Sequence, residues 1–182
     1  MILAGSWFLP ALGMQERFEE GVENARAWAE GASVYTNVGT RLELWKGAAM
    51  LIGEKPLLGC DFVACRKRLA EYAQQGKLDP VVLPLPHLHN DGLQELATGG
   101  VVGFALWVAV LAAPLLFFAR QIGRDVGAPQ FAAALAGLLV VCSYASFGLT
   151  EVIFWSVAGS MFYALMVFLL MGLCLNAKEN IG

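Results

Sequence analysis

Charge is scarce in this chain: Asp, Glu, Lys and Arg together make up 15% of 182 residues, against 58% hydrophobic content. A water-soluble domain of this size would struggle to bury so much apolar surface, so the composition points to a membrane protein. Histidine is scarcer still, with two residues, His87 and His89. No third imidazole is available to complete a histidine-rich metal site. The opening MILAGSWFLPALG has no basic stretch before its apolar run and no A-x-A-like cleavage site, which argues against a signal peptide. Nor is there an internal repeat or a low-complexity tract.

Three segments lack every ionisable Asp, Glu, Lys and Arg: Leu96 to Ala119, Val126 to Thr150 and Val152 to Ala177. Each reaches the roughly 20 residues that carry a helix across about 30 Å of hydrocarbon. The fold class expected is therefore all-α: three C-terminal transmembrane helices after a mainly helical extramembrane region, as part of a larger multispanning fold. Residues 1–13 read as the end of a transmembrane or interfacial helix, 14–95 as the polar loop region, 96–177 as the three spans and 178–182 as a cytoplasmic tail.

The charges that do exist are concentrated before Leu96, where 12 acidic and nine basic residues lie. Orientation follows from the short loops. Arg120 and Arg124 face Asp125 between the first two spans, Lys178 lies in the tail, and the link between the second and third spans carries only Glu151. The excess of Lys and Arg places the 120–130 loop and the C-terminus in the cytoplasm, and hence 14–95 on the outer side, the periplasm of a Gram-negative cell. Cys60 and Cys65 then sit on the oxidising side, where a local disulfide is open to them, while Cys142 and Cys174 fall in spans as small apolar residues.

Within the polar region, GMQERFEEGVENARAWAEG sets Phe18, Val22, Ala25 and Trp28 or Ala29 at helical spacing, with Glu16, Glu19, Glu20 and Glu23 opposite. The next helix is expected to begin at a Thr40 cap with Glu43 three places on, to carry Leu44, Ala48, Leu51 and Ile52 on one stripe, and to end by Gly53 and Pro56. A third runs from about Phe62 to Gln75 and carries the basic knot Arg66, Lys67 and Arg68, read as a headgroup-facing patch. Pro80, Pro84 and Pro86 hold the following chain extended, so that helix resumes only after Pro86, with Asn90 or Asp91 as the cap.

His87 and His89 thus lie two residues apart in an extended stretch, with both rings free to point the same way, at a helix N-terminus that attracts anions. A neutral histidine there can act as a general base towards a hydroxyl. A metal site using both imidazoles with Asp91 or Glu95 is a weaker alternative because those acids have no diagnostic spacing. Arg41 and Lys46, on the second helix, offer a guanidinium fork and an ammonium to a phosphate or diphosphate; the plainer reading is a pair of surface cations.

Ser33, Arg41, Trp45, Pro56 and Gly59, followed by His87, His89, Asn90, Leu93, Gln94, Gly100 and Gly103, resemble the C-terminal half of the O-antigen ligase and O-antigen polymerase superfamily, over roughly Ala32 to Val110. The run HNDGLQELATGGVVG is most similar to the ligase branch. The resemblance implies a multispanning inner-membrane glycosyltransferase that moves glycan from undecaprenyl diphosphate to a lipid A-core sugar hydroxyl, with no cofactor and no metal. It assigns His89 as the base and Arg41 to the diphosphate; His87, Asn90 and Lys46 are expected, from the residues themselves, as further substrate-binding groups. Membrane lipids are expected partners and nucleic acid is not. A polymerase of the same superfamily and a non-catalytic membrane fragment are the alternatives.

Overall fold

The computed structural model describes residues 13–124 and 127–176. The expected membrane or interfacial end at 1–13, Gly13 apart, and the tail at 178–182 lie outside the described residues. Helices α1 (Met14–Ala29), α2 (Asn37–Glu54), α3 (Phe62–Gln74), α4 (Asp91–Ile122), α5 (Ala128–Phe147) and α6 (Val157–Asn176) follow one another, with 3-10 turns at Pro80–Val82 and Ile153–Trp155. Among the described residues there is no strand, so the all-α expectation holds. The described residues of Met1–Met50 and Arg66–Pro86 form one compact unit, and those of Leu51–Cys65 and His87–Gly182 a second.

In the first unit, Leu44, Ala48, Leu69, Tyr72, Leu78 and Val82 are buried. Gly47 admits this packing, because a Cβ there would come within 2.7 Å of a Leu69 methyl and 2.9 Å of a Leu78 methyl. The cap of α2 is not the expected Thr40 but Thr36, whose Oγ1 accepts the Gly39 N–H at 2.9 Å. Thr40 instead donates its hydroxyl to the Val34 carbonyl. Glu43 does not complete a capping box. It is 4% exposed and accepts from the Trp28 indole N–H, the Asp79 backbone N–H and Lys46 Nζ, so tertiary partners have claimed the carboxylate.

On the apolar stripe of α1, Met14, Phe18 and Val22 are exposed. The proline segment departs from a uniformly extended path: Asp79 accepts the Val81 N–H and starts the turn at Pro80–Val82. Arg66 reaches this segment and donates to the carbonyls of Leu83 and Leu85. That removes one member of the basic knot from a purely headgroup-facing role. Arg68 pairs with Glu71 and lies over the Tyr72 ring.

In the second unit, α4, α5 and α6 are each long and apolar enough to cross a membrane, at 32, 20 and 20 residues. Phe118, Ala134, Val141, Tyr144, Tyr163 and Val167 pack among them. Gly137 is required by the contact, since a Cβ there would lie 2.3 Å from the Phe118 ring. Close approach at small residues, with hydroxyls bonded across helices, is the expected packing of spans. Here Tyr144 and Tyr163 donate to the carbonyls of Gly159 and Val110 at 2.7 and 2.8 Å. Leu106, Leu139, Leu165 and Phe168 face outwards, as lipid-facing side chains do.

The α4 helix is broken at Gly100, where φ is 63° and ψ is −162°, a conformation open in practice only to glycine. The break leaves backbone donors without helical acceptors. The loop before α3 supplies them: Val101 and Val102 donate to the carbonyls of Pro56 and Leu57. The same loop holds the Cys60–Cys65 disulfide, and the Cys60 N–H donates to the Ala97 carbonyl at 3.0 Å. Of the spanning cysteines, Cys174 is buried and Cys142 is exposed on its helix.

Candidate functional site

Leu88, between the two histidines, is 4% exposed and its N–H donates to the Gln94 side-chain oxygen. With Leu88 turned inward, His87 and His89 are free to act together. Their rings meet edge to face with centroids 4.5 Å apart. His89 has φ of 52°, a left-handed conformation uncommon for a residue with a Cβ. It ends the extended stretch abruptly and hands the chain to Asn90, which caps α4 by accepting the Leu93 N–H at 2.8 Å. The expected cap and helix start are therefore in place.

A residue far along the chain completes the cluster. Glu151 lies in the connection between α5 and α6, with its carboxylate 3.0 and 3.1 Å from His89 Nδ1 and 3.4 Å from His87 Nε2. Three interactions pin this connection against α4: Asp91 donates its backbone N–H to Gly148, Asn90 Nδ2 donates to Leu149, and Asp91 Oδ2 accepts the Ile153 N–H. The sequence signal for Glu151 was its isolation as the single charge between the second and third spans.

Burial holds the His87 imidazole below its ordinary pKa, the neighbouring His89 acts in the same sense, and Glu151 opposes them. The net direction makes His87 neutral near pH 7. Its 3.4 Å approach to Glu151 is therefore not an ion pair at that pH.

The ligand atoms of His87, His89 and Glu151 all lie within 4.8 Å of one another, a spacing that a divalent transition metal accepts. The surroundings fit less well. A metal on His87 Nε2 leaves the ring proton on Nδ1, and this Nδ1 faces the backbone N–H of His89 at 3.4 Å. Metal-bound imidazoles direct that second N–H to an acceptor, not to a donor.

The other expected site residues divide between the units. His87, His89 and Asn90 belong to the second, and Arg41 and Lys46 to the first. Lys46 is exposed and paired with Glu43 at 3.1 Å. Burial alone would raise the Glu43 pKa, but its bonds from Trp28, Asp79 and Lys46 together hold it below the ordinary carboxylate value. Arg41 is half-buried on α2, and no hydrogen bond or ion pair engages it among the described residues.

No known protein-family profile matches the chain. The chain is similar to an uncharacterized protein of Haemophilus influenzae, at 21% identity over 113 residues. The match takes in 62% of this chain and 28% of the relative, so it spans less than a third of the relative's length.

Proposed function

We propose that the protein is an inner-membrane glycosyltransferase of the O-antigen ligase type, transferring glycan from undecaprenyl diphosphate to a sugar hydroxyl of lipid A-core, with residues 14–95 on the periplasmic face. The observation that carries this reading is the state of the His89 ring. Its Nδ1 is engaged by Glu151, while its Nε2 takes no hydrogen bond among the described residues. That leaves a positioned imidazole nitrogen for a substrate proton at the mouth of a membrane-entering helix. The Cys60–Cys65 disulfide supports an oxidising compartment for the loop. A half-buried guanidinium without a partner among the described residues, Arg41, suits a diphosphate, whose charge a planar fork binds in two places. Lys46, already compensated by Glu43, adds less.

Displacement at the anomeric carbon needs a base on the incoming hydroxyl and charge stabilisation on the departing diphosphate. His89 supplies the first in this reading and Arg41 the second. The test is transfer from purified undecaprenyl-linked glycan to lipid A-core by the protein in its native membrane context. His89→Ala is expected to lower the rate by about 10² to 10⁴ while insertion stays intact, and Arg41→Lys to weaken donor use by about 1 to 3 kcal/mol. Wild-type transfer by His89→Ala would remove the base, and reporters at Asp79 and after Asp125 found on one side would remove the topology.

A further inference from the structure

We infer that Glu151 is a positioning residue that fixes the tautomer and direction of His89, making Nε2 the proton acceptor. The inference rests on the reading of His89 as the base, and it identifies a residue from the α5–α6 connection as part of that machinery.

The protons in the cluster can be assigned from donor and acceptor chemistry alone. An ionised carboxylate only accepts. Both Glu151 oxygens lie within 3.1 Å of His89 Nδ1, so Nδ1 carries the proton of the neutral ring and Nε2 carries the lone pair. The neighbouring ring obeys the same logic from the other side. His87 Nδ1 accepts the His89 backbone N–H at 3.4 Å, so the His87 proton resides on Nε2, which faces Glu151 Oε1. Every polar contact in the cluster then joins a donor to an acceptor. His87 orients the carboxylate, the carboxylate orients His89, and the left-handed backbone at His89 sets the ring at the start of α4.

The chemical consequence concerns the moment of transfer. The hydroxyl proton of the acceptor sugar moves to His89 Nε2 as the hydroxyl oxygen forms its bond to the anomeric carbon. The bond from that carbon to the diphosphate oxygen breaks, and its electron pair leaves with the diphosphate. His89 becomes an imidazolium whose positive charge lies against Glu151, and it returns the proton to water afterwards. A carboxylate at this distance holds the ring in place and lies against the charge that forms on it during transfer. The titratable groups facing this pair are His87 beside it and Asp91, which accepts from Ile153 two residues after Glu151.

The test combines a spectroscopic and a kinetic readout on the intact protein in lipid nanodiscs. With ¹⁵N-labelled histidine at pH 8, wild-type His89 is expected to show a protonated Nδ1 and an unprotonated Nε2, and Glu151→Ala to lose that preference. Glu151→Gln is expected to reduce kcat at least about tenfold with KM little changed, and to move the acid limb of the kcat profile to lower pH, because the ring loses its anionic neighbour. Glu151→Asp is expected to recover part of the loss. A wild-type His89 with an unprotonated Nδ1 overturns the inference. So does an unmoved pH profile in Glu151→Gln in a protein whose His89→Ala variant is inactive, and that result leaves the base reading standing. Full activity in His89→Ala overturns the base reading itself, whatever the tautomer.

Discussion

The backbone N–H of Asp91 donates to the carbonyl of Gly148 at 2.8 Å, joining the first turn of α4 to the end of α5. The two residues touch closely enough that a Cβ on Gly148 would stand 2.9 Å from Asp91 Oδ2 and 3.2 Å from the Tyr144 carbonyl. Gly148→Ala must therefore push the α5–α6 connection away from α4. A loss of about 1 to 3 kcal/mol is expected, on the scale of overpacked sites. Thermal unfolding in detergent measures it, and an unchanged midpoint would show that the connection has slack.

Gly100 is expected to be less forgiving. A Cβ there would fall 2.3 Å from the Leu57 carbonyl group, in a backbone conformation that other residues do not hold. Gly100→Ala is expected to cost about 3 kcal/mol or more, combining backbone strain with overlap. Size-exclusion behaviour and the melting midpoint check it; a variant as stable as the wild type would mean that the break in α4 is dispensable.

Glu43 anchors three donors at once and should tolerate no truncation. Glu43→Ala leaves the Trp28 indole and the Asp79 N–H without their acceptor, with an expected cost of about 2 to 3 kcal/mol. The pH dependence has a definite sign. Because the folded carboxyl sits below its unfolded value, its contribution is present above the ordinary carboxylate range and fades as the pH falls through the lowered folded value. Denaturant melts at pH 7 and pH 3 are expected to show a smaller difference between wild type and Glu43→Gln at the lower pH.

His87 acts in the same direction from the opposite kind of group. Burial favours its neutral form, so the unfolded chain binds a proton more readily than the folded one. Stability from this source is complete above about pH 6.5, the ordinary imidazole value, and is lost as the pH falls below it towards the lowered folded value. A melting midpoint that drops between pH 7.5 and pH 5.5 in wild type, and drops less in His87→Gln, is the expected result. Equal drops in the two proteins would assign the effect to other groups.

Long uncharged runs can be read from sequence because a bilayer imposes a length and an apolar composition on whatever crosses it, and α4, α5 and α6 fall where those runs lie. A cap at Asn90 or Asp91 and the pairing of His87 with His89 were equally legible, since each depends on neighbours in the chain; the structure chose Asn90. The cap of α2 was misread because Thr36 and Thr40 both precede apolar spacing, and only the fold, by sending the Thr40 hydroxyl to Val34 and burying Glu43 against Trp28, chooses between them. The break at Gly100 depends on the fold, because the backbone donors just after it, Val101 and Val102, find their acceptors in a loop 45 residues earlier. Glu151 is the clearest division. The sequence alone determined that a lone acid sits between two long apolar runs; only the packing of α5 and α6 against α4 decided that its carboxylate meets the histidine rings, because a contact between residues 62 positions apart is made by helix geometry and not by any local pattern.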